Sequence, residues 1–498
     1  MAEITIGNRK IGDGHPTYII AEMSANHAGS IERAKEIIHA AKEAGADCIK
    51  IQTYTPDTMT IDCDNEYFKI DKGLWKGENL YGLFQKAYTP WEWQNELKEE
   101  AKKVGIDFFS TPFDKTAVDF LEEIGIKFYK IASFELVDIP LIRYVASKGK
   151  PMILSTGMGS LDEIKDVIEA IESQGNYQYA FLKCSSAYPA ISDEMNLATI
   201  VDMREKFKVP IGLSDHSMGS LGAVTAVAMG ASIIEKHFCI SREIENPDAA
   251  FSMNIEEFKQ MVEDIRNTEK AKGVASYGVS EQEKGNVGFR RSIFVVKDIK
   301  KGECFDKTNI KIIRPGYGIK PKFYDCVLGK KASGDIKSGT PLSINMIDEK
   351  EIYLRTVTVE DMDLLYRWVN DPVCRQNYFT SHSITYEEHK EWFEKKIEDK
   401  NCNMFIACAY GVNLGQIRVE LLEDVAEVSY SIDASYRGNG YGKFILNLVE
   451  KWLKENKKYI HNIVGRVKFN NSSSKRCFEY NGFKMIEKNE YIEFIKRI

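Results

Sequence analysis

The chain has 498 residues, of which 43% are hydrophobic and 28% are charged, and its formal net charge is −7. This length exceeds what a single hydrophobic core usually serves, so roughly two to four domains are expected. The composition is that of an ordinary globular protein. The modest negative charge argues against bulk binding to nucleic acid or to an acidic membrane surface.

The sequence predicts a cytoplasmic protein. Its first residues lack the basic start and apolar core of a signal peptide. The longest apolar stretch, residues 221–234, is too short to span a bilayer and is typical of a buried helix that runs into a strand. The ten cysteines form neither CxxC pairs nor a framework spacing, which predicts reduced thiols.

Between residues 17 and 237, short β-rich runs alternate with amphipathic helical stretches. The β-rich runs are 17–22, 47–52, 107–110, 127–131, 151–155, 179–184, 209–213 and 232–236. Segments 31–44 and 161–173 have the apolar spacing of helices. The alternation predicts an α/β fold with a (β/α)8 TIM barrel. A doubly wound open sheet is the alternative, but no glycine-rich phosphate loop follows the first strand.

Polar side chains lie at or just after the carboxyl end of every predicted strand. In chain order they are Glu22, Lys50, Gln52, Thr111, Lys130, Ser133, Ser155, Thr156, Ser185, Ser186, Ser214, Asp215, His216 and His237. Because such barrels build their active sites at the carboxyl ends of the strands, this pattern predicts a functional site at that rim.

His216 and His237 end the last two predicted strands, which are neighbours in a closed barrel. Two imidazoles there can bind one divalent metal ion, with water or substrate completing its shell. Hydrogen-bonded structural histidines are the alternative. The adjacent Asp215 and Glu235 favour the metal, for which we expect Mn²⁺ or Mg²⁺.

Lys50 and Lys130 have apolar neighbours along their strands and are expected to enter the barrel mouth. A buried ammonium group requires an anion, which predicts a phosphate or carboxylate ligand. Pairing with Glu22 or Glu135 is the structural alternative, and a Schiff-base lysine is the rival chemical interpretation. Near residue 90, the run TPWE predicts a helix capped by Thr89 with a capping box closed by Glu92.

Seven runs in the first 285 residues resemble the N-acetylneuraminate synthase family. They are AEMSANH (21–27), IKIQ (49–52), STPF (110–113), YKIAS (129–133), ILSTGM (153–158), GLSDH (212–216) and EKHF (235–238). Segments 21–30, 54–60, 87–93 and 114–119 look most like the pseudaminic acid synthases of that family.

The resemblance implies condensation of phosphoenolpyruvate with an open-chain amino sugar. It assigns the metal to His216 and His237, and phosphoenolpyruvate to Lys50, Lys130, Ser133, Ser155 and Ser214. By the same resemblance Glu22 handles proton transfer or water, and Asp248 contacts the sugar. The candidate substrate-binding residues also include Thr111, Glu135, Ser186 and Tyr188. Ser186 stands where sialic acid synthases carry an asparagine.

Residues 286–348 are short-stranded, punctuated by glycine and basic, with 13 Lys or Arg against 6 Asp or Glu. They resemble the antifreeze-like (SAF) domain that follows the barrel in these synthases, and RPGYGI (314–319) matches its signature loop. In the family this domain caps the barrel of a partner chain. The resemblance therefore implies a homodimer in which Arg314 reaches the sugar.

Residues 349–498 begin a new α/β pattern. A predicted strand at 427–433 runs into YRGNGYG (436–442) and a helix at 443–455. A turn of this kind exposes backbone N–H groups that can bind a pyrophosphate. With Asn471, Ser474 and NGF (481–483), the pattern resembles GNAT-type N-acetyltransferases, which use acetyl-coenzyme A. The expected cofactor contacts are Arg437, Gly438, Asn439, Gly440, Tyr441, Gly442, Asn471 and Ser474.

The family's usual general-acid tyrosine aligns with Phe478, and Tyr480 is out of register. The predicted domains are therefore 1–285, 286–348 and 349–498. The leading hypothesis is a pseudaminic acid synthase fused to an amino-sugar N-acetyltransferase. The alternative is an N-acetylneuraminate or legionaminate synthase with a non-catalytic coenzyme A-binding module. A third possibility is a Schiff-base aldolase that uses pyruvate.

Overall fold

The computed structural model describes residues 2–380 and 382–498, and the chain divides into two compact units, Met1–Ser276 and Tyr277–Ile498. The first unit begins with an antiparallel hairpin of β1 (Glu3–Ile6) and β2 (Arg9–Gly12). Isoleucines of this hairpin are buried in one cluster with Tyr18 and Ile233, which lie at the amino ends of two barrel strands. The hairpin therefore closes the end of the barrel opposite to the predicted site.

Eight parallel strands form a closed barrel in which the last strand pairs with the first. The strands are β3 (Tyr18–Glu22), β4 (Cys48–Thr53), β5 (Asp107–Pro112), β6 (Tyr129–Ile131), β7 (Met152–Ser155), β8 (Tyr179–Cys184), β9 (Ile211–Asp215) and β10 (Ile233–His237). The predicted barrel is confirmed, and each predicted strand corresponds to one of the eight.

Helices surround the barrel and cover its outward-facing side chains. They are α1 (Ile31–Glu43), α2 (Pro56–Met59), α3 (Leu80–Ala87), α4 (Trp91–Val104), α5 (Lys115–Ile124), α6 (Ile139–Ala146), α7 (Leu161–Glu172), α8 (Thr199–Phe207), α9 (Leu221–Ala228) and α10 (Ile255–Lys272). Strand alternation separates the layers, since Tyr179 and Phe181 of β8 join the helix-side core while Ala180 and Leu182 face the lumen cluster.

The predicted capping box at Thr89 is wrong. Helix α4 begins at Trp91 with Pro90 at the N-cap position and no side-chain cap. The Thr89 hydroxyl lies instead 3.2 Å from His27 Nε2 in the barrel.

The second unit starts with the antiparallel pair β11 (Ser292–Val295) and β12 (Ile310–Ile313), followed by α11 (Tyr324–Val327). A seven-stranded sheet follows, in the order β13-β14-β15-β16-β17-β19-β18. Its strands are β13 (Tyr353–Thr356), β14 (Cys402–Ala409), β15 (Val412–Leu422), β16 (Val425–Ile432), β17 (Asn462–Val467), β18 (Lys484–Glu487) and β19 (Ile492–Arg497). Its helices are α12 (Met362–Val369), α13 (Pro372–Asn377), α14 (Tyr386–Ile397), α15 (Tyr441–Asn456) and α16 (Ser472–Tyr480).

One hydrophobic core joins the two parts of this second unit. Ile293 and Val327 belong to the same buried cluster as Phe405 and Ile445. Within the described part of the chain, none of the helices combines the length and the apolar character that a bilayer crossing requires.

Candidate active sites

The two predicted lysines meet at the barrel mouth and share carboxylates. Lys50 Nζ lies 2.6 Å from Glu22 Oε2 and 3.5 Å from Glu235 Oε1. Lys130 Nζ lies 3.7 Å from the same Glu235 oxygen. All four side chains are buried. Of the two glutamates named as the structural alternative, Glu22 pairs with Lys50. Glu235, which was not named as a pairing partner, lies near both lysines.

Burial and these ion pairs set the charge of the group. Burial opposes the charge on Lys50, but Glu22 and Glu235 outweigh it and raise the pKa of its ammonium. Burial likewise opposes the charge on Glu235, yet Lys130 and Lys50 lower the pKa of that carboxyl. For Glu22 burial prevails and raises its pKa. Burial lowers the pKa of the Lys130 ammonium despite the nearby Glu235. The mouth therefore favours the charged forms of Lys50 and Glu235, and makes Lys130 and Glu22 the groups that exchange a proton more readily.

Hydroxyl groups complete a cradle around Lys130. Its Nζ donates to Ser155 Oγ at 2.6 Å, and the backbone N–H of Gly157 donates to Ser133 Oγ at 3.1 Å. A Cβ added to Gly157 would stand 2.2 Å from Ser186 Oγ and 2.7 Å from Ser133 Oγ, so a side chain there would displace both hydroxyls. Cation, hydroxyls and backbone N–H converge as an anion requires.

The other predicted residues divide between this mouth and its surroundings. Thr111 Oγ1 accepts from Lys50 Nζ at 3.2 Å, and Ser214 Oγ donates to Glu235 Oε1 at 3.3 Å. Burial raises the pKa of Glu135 to about 7. Arg314 belongs to the second unit, where it is exposed directly after β12.

His216 and His237 lie side by side, with ring centroids 5.4 Å apart. Tyr188 covers this pair, its ring centroid 4.3 Å from that of His216 and 6.4 Å from that of His237. Asp248 is buried and accepts from the backbone N–H of Ala25 at 3.1 Å. Asp215 faces away, because Lys236 Nζ donates to its Oδ2 at 2.8 Å and Ser217 Oγ to its Oδ1 at 2.6 Å.

The two imidazoles fit a divalent metal ion. His216 Nδ1 lies 3.0 Å from the Ser185 carbonyl, which leaves its other ring nitrogen free to accept or ligate. His237 Nδ1 is buried without a hydrogen-bond partner among residues 2–380 and 382–498. Burial holds the pKa of His237 well below its usual value, so the ring stays neutral. Within those residues no three His, Cys, Asp or Glu side chains form a metal cluster.

Sequence reasoning missed the bridging role of Glu235, which was placed beside the metal rather than between the lysines. Strand alternation on β10 predicts only that Glu235 shares the lumen face with His237, and its contacts with both lysines depend on closure of the barrel. The same alternation turns Asp215 and Lys236 toward the helices.

The second unit holds the predicted pyrophosphate turn. Gly438 and Gly440 have φ values of 79° and 78°, which only glycine adopts without strain, and α15 begins directly after them. The backbone N–H groups of its first turn have no partner within the helix. The turn therefore presents donors toward a cleft of about 590 Å³.

Several predicted cofactor side chains have structural partners instead. Arg437 Nη2 donates to Asp371 Oδ1 at 2.6 Å, and Tyr441 Oη donates to Asn345 Oδ1 at 2.9 Å. Asn439 Nδ2 bonds carbonyls of its own turn, and Asn471 Oδ1 caps α16. Ser474 Oγ lies 3.1 Å from Tyr430 Oη in the cleft, whose lining also includes Glu427 and Arg418.

Three families match successive parts of the chain. Residues 37–277 match the NeuB family, residues 290–348 match the SAF domain, and residues 351–484 match the acetyltransferase (GNAT) domain. The three matches include seven of the eight barrel strands, the β11–β12 pair and strands β13 to β17 of the seven-stranded sheet.

Curated relatives and a solved structure each match more than half of the chain. A pseudaminic acid synthase of Campylobacter jejuni is 49% identical over 325 residues, covering 65% of this chain and 95% of the relative. An N,N'-diacetyllegionaminic acid synthase of Legionella pneumophila is 36% identical, covering 67% and 97%. The crystal structure of an N-acetylneuraminic acid synthetase from Leptospira borgpetersenii is 33% identical, covers 57% and 95%, and superposes with a TM-score of 0.52. The chain belongs to the NeuB family of synthases and carries a SAF domain and a GNAT acetyltransferase domain.

Proposed function

We propose that the barrel condenses phosphoenolpyruvate with an open-chain 2,4-diacetamido-2,4,6-trideoxy-hexose, releasing phosphate and forming pseudaminic acid. The observation that carries this proposal is the convergence of Lys50 and Lys130 beside His216 and His237 at one mouth. The ammonium groups suit an enol phosphate, and the imidazoles suit the centre that activates a carbonyl.

The chain's own residues bind and orient the reactants. Lys130 with Ser133 and Ser155 holds one anionic group of phosphoenolpyruvate, while Lys50 holds the other. Fixed cations in a buried mouth stabilise negative charge without reorganising during the reaction. Glu22 is the group for proton transfer or for orienting the water that adds to the enol-ether carbon, because its raised pKa lets it exchange a proton.

A divalent ion held by His216 and His237 supplies Lewis acidity toward the sugar aldehyde. The buried Asp248 carboxyl is the candidate acceptor for a sugar hydroxyl, and the Tyr188 ring lies beside the His216 imidazole.

The higher identity to the pseudaminic acid synthase, 49% against 36%, favours that product over a legionaminic acid. Ser186 favours it over N-acetylneuraminate, since it occupies the position of the asparagine in sialic acid synthases and lies in the hydroxyl cradle. The runner-up is a legionaminate or N-acetylneuraminate synthase.

The second activity we propose is transfer of an acetyl group from acetyl-coenzyme A to an amino-sugar precursor. The Gly438–Gly440 turn at the start of α15 and the adjoining cleft support it. Its alternative is a module that binds coenzyme A without turnover. Both proposed activities use cytoplasmic metabolites, which supports a cytoplasmic location.

We further propose that the protein works as a homodimer in which the partner's SAF domain covers the barrel mouth. The loops after β6 to β9 expose a ring of large apolar side chains at this rim: Phe134, Val137, Met158, Ile191, Met218 and Leu221. Exposed apolar surface of this kind marks a region of contact with another protein surface. Arg314 is the basic residue of the SAF domain that would contact the sugar.

The test is to incubate the purified chain with phosphoenolpyruvate and a panel of diacetamido- and N-acetyl-hexoses, and to measure phosphate release and product mass. We expect fastest turnover with the precursor of pseudaminic acid. Turnover restricted to N-acetylmannosamine would establish the runner-up. Borohydride trapping of Lys50 or Lys130 with pyruvate would support the aldolase and contradict the proposed condensation.

For the second activity, acetyl transfer is measured as free thiol released from acetyl-coenzyme A with a panel of 4-amino-sugar nucleotides. Binding of coenzyme A without thiol release from any of them would establish the non-catalytic module.

A further inference from the structure

Acetyl transfer leaves a thiolate that needs a proton, and the residue at the expected position cannot supply one. This inference rests on the acetyl transfer proposed above. When an amine attacks a thioester, the sulfur departs with the electron pair of the C–S bond, and a positioned acid accelerates that step. Phe478, which stands in register with the acid of related domains, has no hydroxyl.

The packing around Phe478 also leaves no space for a hydroxyl at the tip of its ring. Phe478 is buried and stacks on Phe494, with ring centroids 5.1 Å apart and planes 12° from parallel. Its ring tip, Cζ, lies 2.3 Å from where a Cβ on Gly465 would stand, so the ring ends against the backbone of β17. Tyr480 is 70% exposed and lies under Lys443 Nζ at the surface.

The cleft opens where two parallel strands separate. Strands β16 and β17 pair only through residues 425–427 and 462–464, and beyond that point they diverge. Tyr430 lies on the diverging part of β16. A thioester that enters from the pyrophosphate turn passes along this opening, because the turn and α16 form its walls.

The Tyr430 hydroxyl is held between the two helices that line this opening. Its Oη lies 3.1 Å from Ser474 Oγ on α16 and 3.5 Å from the place where a Cβ on Gly442 would stand on α15. A Cβ at this position would lie 3.1 Å from Tyr430 Cε2, so Gly442 leaves room for the edge of the Tyr430 ring. Burial raises the pKa of Tyr430, so the group keeps its proton throughout the physiological range.

Of the other tyrosines that line the cleft, Tyr441 has its hydroxyl bound outside it, whereas Tyr436 and Tyr378 are described by the packing of their rings. Tyr441 Oη donates to Asn345, and the ring of Tyr436 packs edge-on against Tyr441 with centroids 6.3 Å apart. Tyr378 lies at the end of α13, where the guanidinium of Arg375 covers its ring at 4.5 Å.

We propose that Tyr430 is the proton donor to the departing thiolate and that Ser474 returns a proton to it. The acceptor nitrogen forms a bond to the thioester carbon and gives up one proton. The C–S bond breaks, and the sulfur takes the proton of Tyr430 Oη to become the free thiol. The proton released by the amine then passes through Ser474 Oγ to the tyrosinate. The exchange therefore balances with no further reactant.

The test compares Tyr430→Phe with the unchanged enzyme, using acetyl-coenzyme A and the amino-sugar nucleotide that the unchanged enzyme acetylates fastest. Thiol release is expected to fall roughly 100-fold or more in kcat. The Kd for coenzyme A, measured by calorimetry, is expected to stay within twofold, and condensation by the barrel is unchanged. Tyr480→Phe is the matched control and should retain full acetyl transfer.

Ser474→Ala separates catalysis from a structural contact, because it removes the hydrogen bond but leaves the Tyr430 hydroxyl in place. We expect it to lower kcat by about 10-fold or less. Equal losses in Ser474→Ala and Tyr430→Phe, or a fall in coenzyme A affinity that accounts for the loss, would overturn the assignment. So would full activity of Tyr430→Phe or loss in Tyr480→Phe. Absence of transfer by the unchanged enzyme would overturn the proposed acetyl transfer together with this inference.

Discussion

Lys130 on β6 and Lys183 on β8 belong to the same barrel but lie on opposite faces of its wall. Lys130 is 1% exposed and donates to Ser155 in the lumen. Lys183 shares the outer face of β8 with Phe181 and donates to the carbonyl of Cys184. The same residue type therefore has different chemistry on the two faces.

We predict that Lys130→Met lowers kcat/KM for phosphoenolpyruvate by roughly 10²–10³-fold, because it removes a fixed cation from the anion cradle. Phosphate release at varied phosphoenolpyruvate concentration measures it. Lys183→Met is the matched control and should change kcat/KM by less than about threefold. Equal losses in the two variants would contradict the assignment of Lys130 to the substrate.

Replacement of His216 tests the metal site. We expect His216→Ala to lose condensation and to lose bound Mn²⁺ in equilibrium dialysis, since two imidazoles are the only nitrogen ligands proposed. In the unchanged enzyme a chelator should abolish condensation reversibly on return of metal. His39→Ala, which removes a largely exposed imidazole paired with Glu100, should affect neither measurement. Full activity in rigorously metal-free buffer would exclude the proposed role.

His27 gives the barrel a pH-dependent stability. Burial lowers the pKa of His27 to about 4, below the ordinary value of 6.5. Between these values the unfolded chain binds a proton that the folded chain does not, so stability is complete above pH 6.5 and is lost as the pH falls toward 4. The difference corresponds to roughly 3 kcal/mol.

We therefore expect the barrel's melting temperature to fall between pH 6.5 and pH 4 by more in the unchanged protein than in His27→Gln. Circular dichroism melts of both proteins measure this difference. Parallel pH profiles would show that His27 titrates normally in the folded state.

The spacing of hydrophobic residues predicted the barrel strands correctly, whereas the capping signal at the start of a helix did not. All eight barrel strands were found because buried parallel strands form short apolar runs between amphipathic helices. The capping box at Thr89 failed because the hydroxyl bonds His27, a residue 62 positions away. The residues that neighbour Thr89 in the sequence do not indicate such a distant partner. For the same reason the bridge of Glu235 between Lys50 and Lys130 requires the closed barrel to be seen.

The turn before α15 offers a test confined to one element. Gly440→Glu places a side chain at φ 78° and a carboxylate beside the N–H groups that would bind pyrophosphate. We expect loss of coenzyme A binding by calorimetry and loss of acetyl transfer, with condensation intact. Gly334→Glu, at a glycine with open space around its Cα, should preserve binding. Retained coenzyme A binding in Gly440→Glu would contradict the assigned pyrophosphate site.

At the scale of the molecule, the sequence predicts three segments, and the structure shows why the last two are difficult to separate. Phe323 of the SAF segment packs edge-on against Tyr410 of the GNAT segment, with centroids 6.1 Å apart. Tyr441, directly after the pyrophosphate turn, donates to Asn345. Composition and charge at the junction near residue 349 predict a boundary, but contacts between residues about 90 positions apart leave no local signal. The boundary itself stays a prediction.

This shared core predicts that coenzyme A stabilises the SAF segment, which has no proposed contact with it. A ligand at 100 times its Kd stabilises the folded state by about 2.7 kcal/mol, and every amide that exchanges only when that cooperative unit opens is then protected by about 100-fold. We expect this protection at Ile293 and Val295 of β11, whose amides donate to Ile319 and Thr340, as well as on β14 to β16.

Hydrogen exchange measured by mass spectrometry with and without saturating coenzyme A provides the measurement, with barrel strand β8 as the internal reference. Phe323→Ala removes a packing contact between the segments and should reduce the protection of β11 while leaving that of β16. Protection confined to the GNAT segment of the unchanged protein would mean that the two segments open independently. Protection of both segments would mean that the proposed acetyl-donor site and the SAF domain open as one cooperative unit. The reason is that α15, which follows the turn, and strand β11 pack in the same hydrophobic core.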